Sequence, residues 1–213
     1  MRACIIGALA LGVLGCQPPE EIPAVAGTWQ VQQYTITPEG ACDGTPTTIP
    51  DPSSCIDCLV PASTFVMGPQ QAGGGTVQVV FPCDGAEACA SIDPADPEIL
   101  SQSEVVVLNT VSGTNWRQLT QTSALEATAG SNVIVCRYRE VDIVLQVEGE
   151  EADSARLSRT ERESVAVIED TDLTVDGVAN CLGAVNNPPS GAAVVCVQTE
   201  EITASLVVEE ESE

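Results

Sequence analysis

The clearest regularity along the chain is a two-residue alternation. In Val133–Val147, the positions Val141, Ile143, Leu145 and Val147 alternate with Asp142, Val144, Gln146 and Glu148. That pattern marks an antiparallel strand with one buried face. Arg137 and Arg139 share the phase of the apolar set, while Ile134, Cys136 and Tyr138 take the other. The change of phase near Glu140 predicts a bulge.

Other segments repeat the theme. Val25 to Thr37, rich in Thr, Val, Ile and Tyr, alternates Trp29, Val31 and Gln33 as a strand would. Ser63–Met67 and Thr76–Phe81 are expected as short strands joined by the glycine-rich connection 68–75. Glu104–Val111 and Trp116–Ser123 form a predicted hairpin around Ser112-Gly-Thr-Asn115. After a turn at Gly149–Asp153, Ala155–Ile168 returns beside the preceding strand. Arg156, Arg159 and Arg162 recur there at three-residue spacing, which leaves a short helix as the alternative. Leu173–Val178 and Val194–Val208 are the last strands; Val194, Cys196, Ile202, Ala204, Leu206 and Val208 share one face of the latter. Loops rich in proline and aspartate run from Pro38 to about Pro61 and from Asp84 to Pro97. Many short strands, Gly/Pro turns and no long amphipathic helix predict an all-β domain, an antiparallel barrel or sandwich. It is expected to be a single domain over 25–208, followed by the acidic tail 209–213.

The first residues follow a different logic. Arg2 precedes an apolar run from Ala3 to Leu14. That run is shorter than the roughly 20 residues a membrane-spanning helix needs, and it has the flanks of a secretory signal. Val13-Leu14-Gly15-Cys16 resembles the lipobox of bacterial lipoproteins. The resemblance implies removal of residues 1–15 and acylation of Cys16. Gln17 in the next position implies sorting to the outer membrane, facing the periplasm or the cell surface. Several acyl chains, palmitate among them, anchor stably where one does not. Residues 16–24, with Gln17-Pro-Pro-Glu-Glu-Ile-Pro23, then read as an extended tether. An ordinary signal peptide cut elsewhere is the alternative.

Composition narrows the function classes. Thirty-one acidic side chains face seven arginines, with no lysine and no histidine, for a net charge of −24. Such a charge argues against nucleic acid or anionic lipid headgroups as partners; divalent cations or basic partners remain compatible. Histidine-based nucleophile pairs, histidine-ligated zinc and lysine chemistry are excluded outright. Carboxylate pairs could still hydrolyse glycosides, but six aromatic residues in the whole chain offer few platforms for sugars. The expectation is a non-enzymatic binding domain with no cofactor and no catalytic residue. Its ligand is a small apolar molecule or, alternatively, a protein partner of a filled-core scaffold. Trp116 and Tyr138 are the candidate ligand-lining residues, with burial in a packed core as the other account of both.

Beyond Cys4 and Cys16, eight cysteines remain: Cys42, Cys55, Cys58, Cys83, Cys89, Cys136, Cys181 and Cys196. An even number in an exported chain reads as a disulfide framework. Proximity suggests Cys181–Cys196 and Cys83–Cys89 as pairs. Cys55-Ile-Asp-Cys58 has the spacing of a redox motif, yet the intervening Asp57 would raise a thiol pKa rather than lower it. Cys55, Cys58, Cys83 and Cys89 could alternatively form a four-thiolate zinc site. Asp170-Thr-Asp172-Leu-Thr-Val-Asp176-Gly177 invites calcium, but the EF-hand places for glycine and glutamate hold Val175 and Cys181.

Gly27-Thr28-Trp29, at the start of the first strand, resembles the Gly-x-Trp of lipocalins and lipocalin-like lipoproteins. The resemblance implies a barrel whose closed end is plugged by Trp29. The family pattern also has an arginine near the chain end packed on that tryptophan, and this chain has no arginine after Arg162. A plain core aromatic opening a β-domain is the other reading of Trp29.

Overall fold

A computed structural model describes residues 25–42, 45–55, 58–112, 114–127, 133–148, 152–169 and 192–207. The strands are β1 (Gly27–Gly40), β2 (Thr47–Thr48), β3 (Thr64–Ala72), β4 (Gly75–Cys83), β5 (Val106–Ser112), β6 (Asn115–Ala127), β7 (Val133–Glu148), β8 (Ser154–Glu169) and β9 (Ala193–Leu206). All pair antiparallel with their sequence neighbours in the order β1-β3-β4-β5-β6-β7-β8-β9, and β9 pairs back onto β1. The result is a closed eight-stranded antiparallel barrel, with β2 a short addition to the free edge of β1. Closure settles the expectation in favour of the barrel. It also removes the open edges that a sandwich would have to protect.

The segment 154–169 is a strand paired along its whole length with β7, so the arginines at three-residue spacing are not helical. The connection expected over 68–75 is much shorter. β3 and β4 pair from Thr64↔Cys83 to Ala72↔Gly75, leaving a two-residue turn at Gly73 and Gly74. Both residues have positive φ, 59° and 84°, as a tight hairpin turn demands. Pro69 is accommodated within β3 because β1 covers only Thr64–Met67 on the other side, leaving the proline on a free edge. The loop after β4 contains a six-residue helix, α1 (Gly85–Ala90), and a 3-10 turn at Pro97–Ser101.

β7 has no bulge at Glu140. Its registers with β6 and β8 run unbroken; the register shifts fall at Val31/Gln33, Thr110/Ser112 and Glu163/Ser164. The change of phase has another cause. Ile143, Leu145 and Val147 point into the main core, while Cys136 and Tyr138 are buried on the opposite face in a separate cluster with Leu125 and Ala166. The strand is longer than the apolar core, and its far half buries its other side.

The main core is made by Trp29, Tyr34, Phe65, Met67, Leu108, Trp116, Leu145, Leu157 and Ile202, all buried. Trp29 stacks on Phe65 with ring centroids 6.5 Å apart and planes within 7°. Such aromatic pairs contribute about 0.5–1.5 kcal/mol beyond the area they bury.

Three disulfides link Cys42 to Cys196, Cys55 to Cys58 and Cys83 to Cys89. Cys136 is disulfide-bonded as well, and Cys181 lies outside the described residues. The proximity expectation for Cys83–Cys89 holds. That for Cys181–Cys196 does not, because the register places Gly40 opposite Cys196 and brings Cys42 to it from the end of β1. Cys55 and Cys58 close on each other, as do Cys83 and Cys89, so the four do not assemble as a thiolate zinc site.

Candidate functional site

The barrel interior changes character along its axis. At the end where β1 begins it is mostly apolar, with the buried Gln78 donating to the Val25 carbonyl. Further along β7, β8 and β9 the same inward phase carries charge. Arg159 pairs with Ile143 on one side and Glu200 on the other, and Glu161 stands opposite Val141 and Gln198. Arg139 and Arg137 continue the inward phase of Leu145.

These side chains are joined by ion pairs. Arg139 makes a two-pronged contact with Glu161, from Nε at 2.5 Å and Nη2 at 2.9 Å. Arg159 donates to Glu161 at 2.7 Å and to Glu200 at 2.8 Å. Arg137 is paired with Glu126 and Glu163. The Arg139 guanidinium is the largest influence on Glu161 and holds its carboxyl below the usual range. Exposure grades along the chain of contacts. The Arg139 side chain is 54% exposed, Arg159 19% and Glu200 2%.

Glu200 is the inner terminus of this network. Its Oε2 accepts from the Tyr34 hydroxyl at 2.5 Å and from the Leu59 backbone N–H at 3.0 Å, while Oε1 takes Arg159. The Leu59 N–H also reaches Tyr34 Oη at 2.8 Å. Burial first, then the hydrogen bond and charge of Glu200, raise the Tyr34 phenol above its ordinary value. The phenol therefore remains a donor. A buried carboxylate with this many partners is satisfied rather than reactive.

Leu59 belongs to a plug. The segment leading from β2 to β3 folds back over the barrel: Cys58, Val60 and Ala62 are buried in the main core, with Ile49, Cys55 and Leu59 packed against it. The Cys55–Cys58 disulfide lies within this segment. Sequence reading recognised the cysteines but missed both the plug and the Tyr34–Glu200 latch. A buried glutamate inside a strand of alternating polar residues carries no local signal.

The two residues expected to line a ligand separate. Trp116 is in the main core, whereas Tyr138 packs outside it with Cys136, Leu125 and Ala166. Cys16 and the aspartates at 170, 172 and 176 lie outside the described residues. Among the described residues no group of three or more His, Cys, Asp or Glu is placed to hold a metal ion. Nor is any helix long and apolar enough to cross a membrane.

A second concavity lies on the outside of the barrel. An open groove of about 610 Å³ runs between the end of β4, α1 and the turn before β3. Phe81, Pro82 and Ile92 are apolar residues of its lining, and Asp84 and Glu104 line it as well. Thr64 fixes the local backbone, its hydroxyl accepting from Gly85 N–H at 2.8 Å and donating to the Cys83 carbonyl.

Charge is divided between these two regions. Every arginine after Arg2 falls at or beyond Arg117, so Gln17 to Trp116 holds twelve acidic residues and no cation. All the ion pairs among the described residues accordingly involve β6, β7, β8 and β9.

The architecture defines the chain as a closed, disulfide-stapled antiparallel barrel. No protein-family model, curated protein or solved structure matches it.

Proposed function

We propose that this chain is a lipid-anchored, non-enzymatic protein of the bacterial outer membrane, in which the barrel is a filled scaffold and the surface does the binding. The observation that carries this reading is the interior itself. Aromatic and aliphatic side chains pack its apolar half, and the 58–62 segment and the Arg–Glu network project into the other. A barrel of eight strands has room either for its own side chains or for one small ligand, and the buried side chains that project inward support the first of these. The anchor is supported by Val13-Leu14-Gly15-Cys16, and three acyl chains would hold a domain with no membrane-seeking surface of its own. No nucleic-acid partner fits the charge of −24.

The chain contains two tryptophans, Trp29 and Trp116, and both are buried in the main core. Their emission therefore reports on anything that enters the lumen. Titrating the full-length, disulfide-intact protein with oleate should leave the emission and the melting temperature unchanged. A saturable one-to-one change in both would instead support carriage of a small apolar ligand. For the anchor, Cys16→Ser should abolish labelling by radioactive palmitate and release the protein from the membrane fraction. Retention of the label would refute acylation at that residue.

A further inference from the structure

We propose that the groove beside α1 docks a basic segment of a partner protein, an extended stretch in which an apolar side chain sits next to arginine or lysine. This rests on the surface-binding reading above and gives that surface a location and a partner chemistry.

Three observations converge. The groove is preformed. Cys83, at the end of β4, is bonded to Cys89 in α1, and the Thr64 hydroxyl holds the Gly85 N–H where the helix begins. A rigid wall spares the binding event the cost of ordering it. The lining is partly apolar, with Phe81 and Ile92 half-buried against Val66, Cys83 and Cys89, which suits one aliphatic or aromatic side chain. The surroundings are acidic and unneutralised: Asp84 and Glu104 line the groove and are exposed, as is Glu87 on α1. Asp84 makes no capping bond to the helix it precedes.

What distinguishes these carboxylates is their setting. Those on the inner faces of β8 and β9 already hold arginines, whereas no cation occurs anywhere between Gln17 and Trp116. A basic partner is thus steered to this half of the molecule and supplies the cation the chain lacks there. A second copy of the chain, itself at −24, would be repelled, as would an anionic lipid surface.

The test uses the full-length protein with its disulfides intact and a fluorescein-labelled hexapeptide alternating leucine with arginine, carrying a benzophenone crosslinker. Two control peptides replace arginine by glutamine or leucine by serine. The proposal expects saturable anisotropy with the leucine–arginine peptide and at least about tenfold weaker binding of both controls. Crosslinks should fall within β4, α1 and the turn before β3. The double variant D84N/E104Q, altered at two exposed positions, should keep its melting temperature and bind about tenfold more weakly at low salt, with the gap narrowing at physiological salt, where screening sets in beyond about 8 Å. Equal binding of the serine control, or crosslinks scattered over the acidic surface, would overturn the groove and leave only diffuse attraction. Unchanged binding by D84N/E104Q would overturn it as well. Specific crosslinks at another surface would reject the groove while leaving the surface-binding reading standing. Oleate in the lumen would reject that reading itself.

Discussion

Strands β3, β4 and β5 are nine, nine and seven residues long and contain no charged residue. Strands β7 and β8 are sixteen residues each and line their inner faces with Arg137, Arg139, Arg159, Glu161 and Glu163. The two regions meet different demands with the same backbone. Short strands stay beside the apolar core, so most of their inward side chains are apolar, Phe65, Met67, Val80 and Leu108 among them, and the buried Gln78 is satisfied by the Val25 carbonyl. Long strands run past that core toward solvent, and an apolar inner face there would be exposed. Arginine–carboxylate pairs fill the space while remaining hydrated, at the low net stabilisation usual for partly exposed ion pairs. The division also decides where the molecule can attract something. Carboxylates in the long-strand region are largely occupied by arginines, whereas Asp84, Glu87 and Glu104, in the loop between β4 and β5, have no cation.

The largest expected effect comes from cutting the staple that ties the end of β1 to β9. Cys42–Cys196 spans 154 residues, and the chain-entropy account assigns a loop of that size about 5 kcal/mol. Replacing both cysteines by serine should lower the urea midpoint more than the same change at Cys55–Cys58, which spans three. Next comes the filled region. Leu108→Ala, at a fully buried position, should cost about 3–4 kcal/mol in urea unfolding as transfer and cavity terms add.

Arg159→Met probes the boundary. It leaves the Glu200 carboxylate buried with only Tyr34 and Leu59 as partners, which should cost about 3 kcal/mol. Adding Glu200→Leu should recover part of that loss, because removing both charges is milder than stranding one. The smallest effect is a pH slope. Glu161 is held below its usual value of 4.5, chiefly by Arg139. Its contribution is therefore present above that value and is lost as pH falls through the lower folded-state pKa. As pH falls through the carboxylate range the unfolded chain takes up the proton first, so stability should fall with acidification. Arg139→Met should flatten that slope in acid-titrated thermal melts.

What was legible in the chain divides along the same line. Alternation at 141–147, the hairpin at 112–115 and the short Cys83–Cys89 link are local, and each is present in the fold. Cys42–Cys196 is set by the β1–β9 register, which spans most of the chain and leaves no trace in spacing. The phase change at Glu140 suggested a bulge because alternation alone cannot tell a slipped register from a strand that outruns its core. Residues 68–75 suggested a loop because Pro69 and four glycines outweighed the pairing that a free edge permits. Glu200 meets Leu59 of the plug and Tyr34 of the latch across 141 and 166 residues, and only the closed barrel brings them together.

If the protein's own side chains occupy the interior, no apolar ligand can be carried there. Native mass spectrometry of the protein extracted from its own membrane addresses this most directly. The predicted result is an acylated chain whose mass holds no further small molecule once detergent is removed. A stoichiometric apolar molecule retained under the same conditions would contradict the filled scaffold and return the lumen to the role of a carrier.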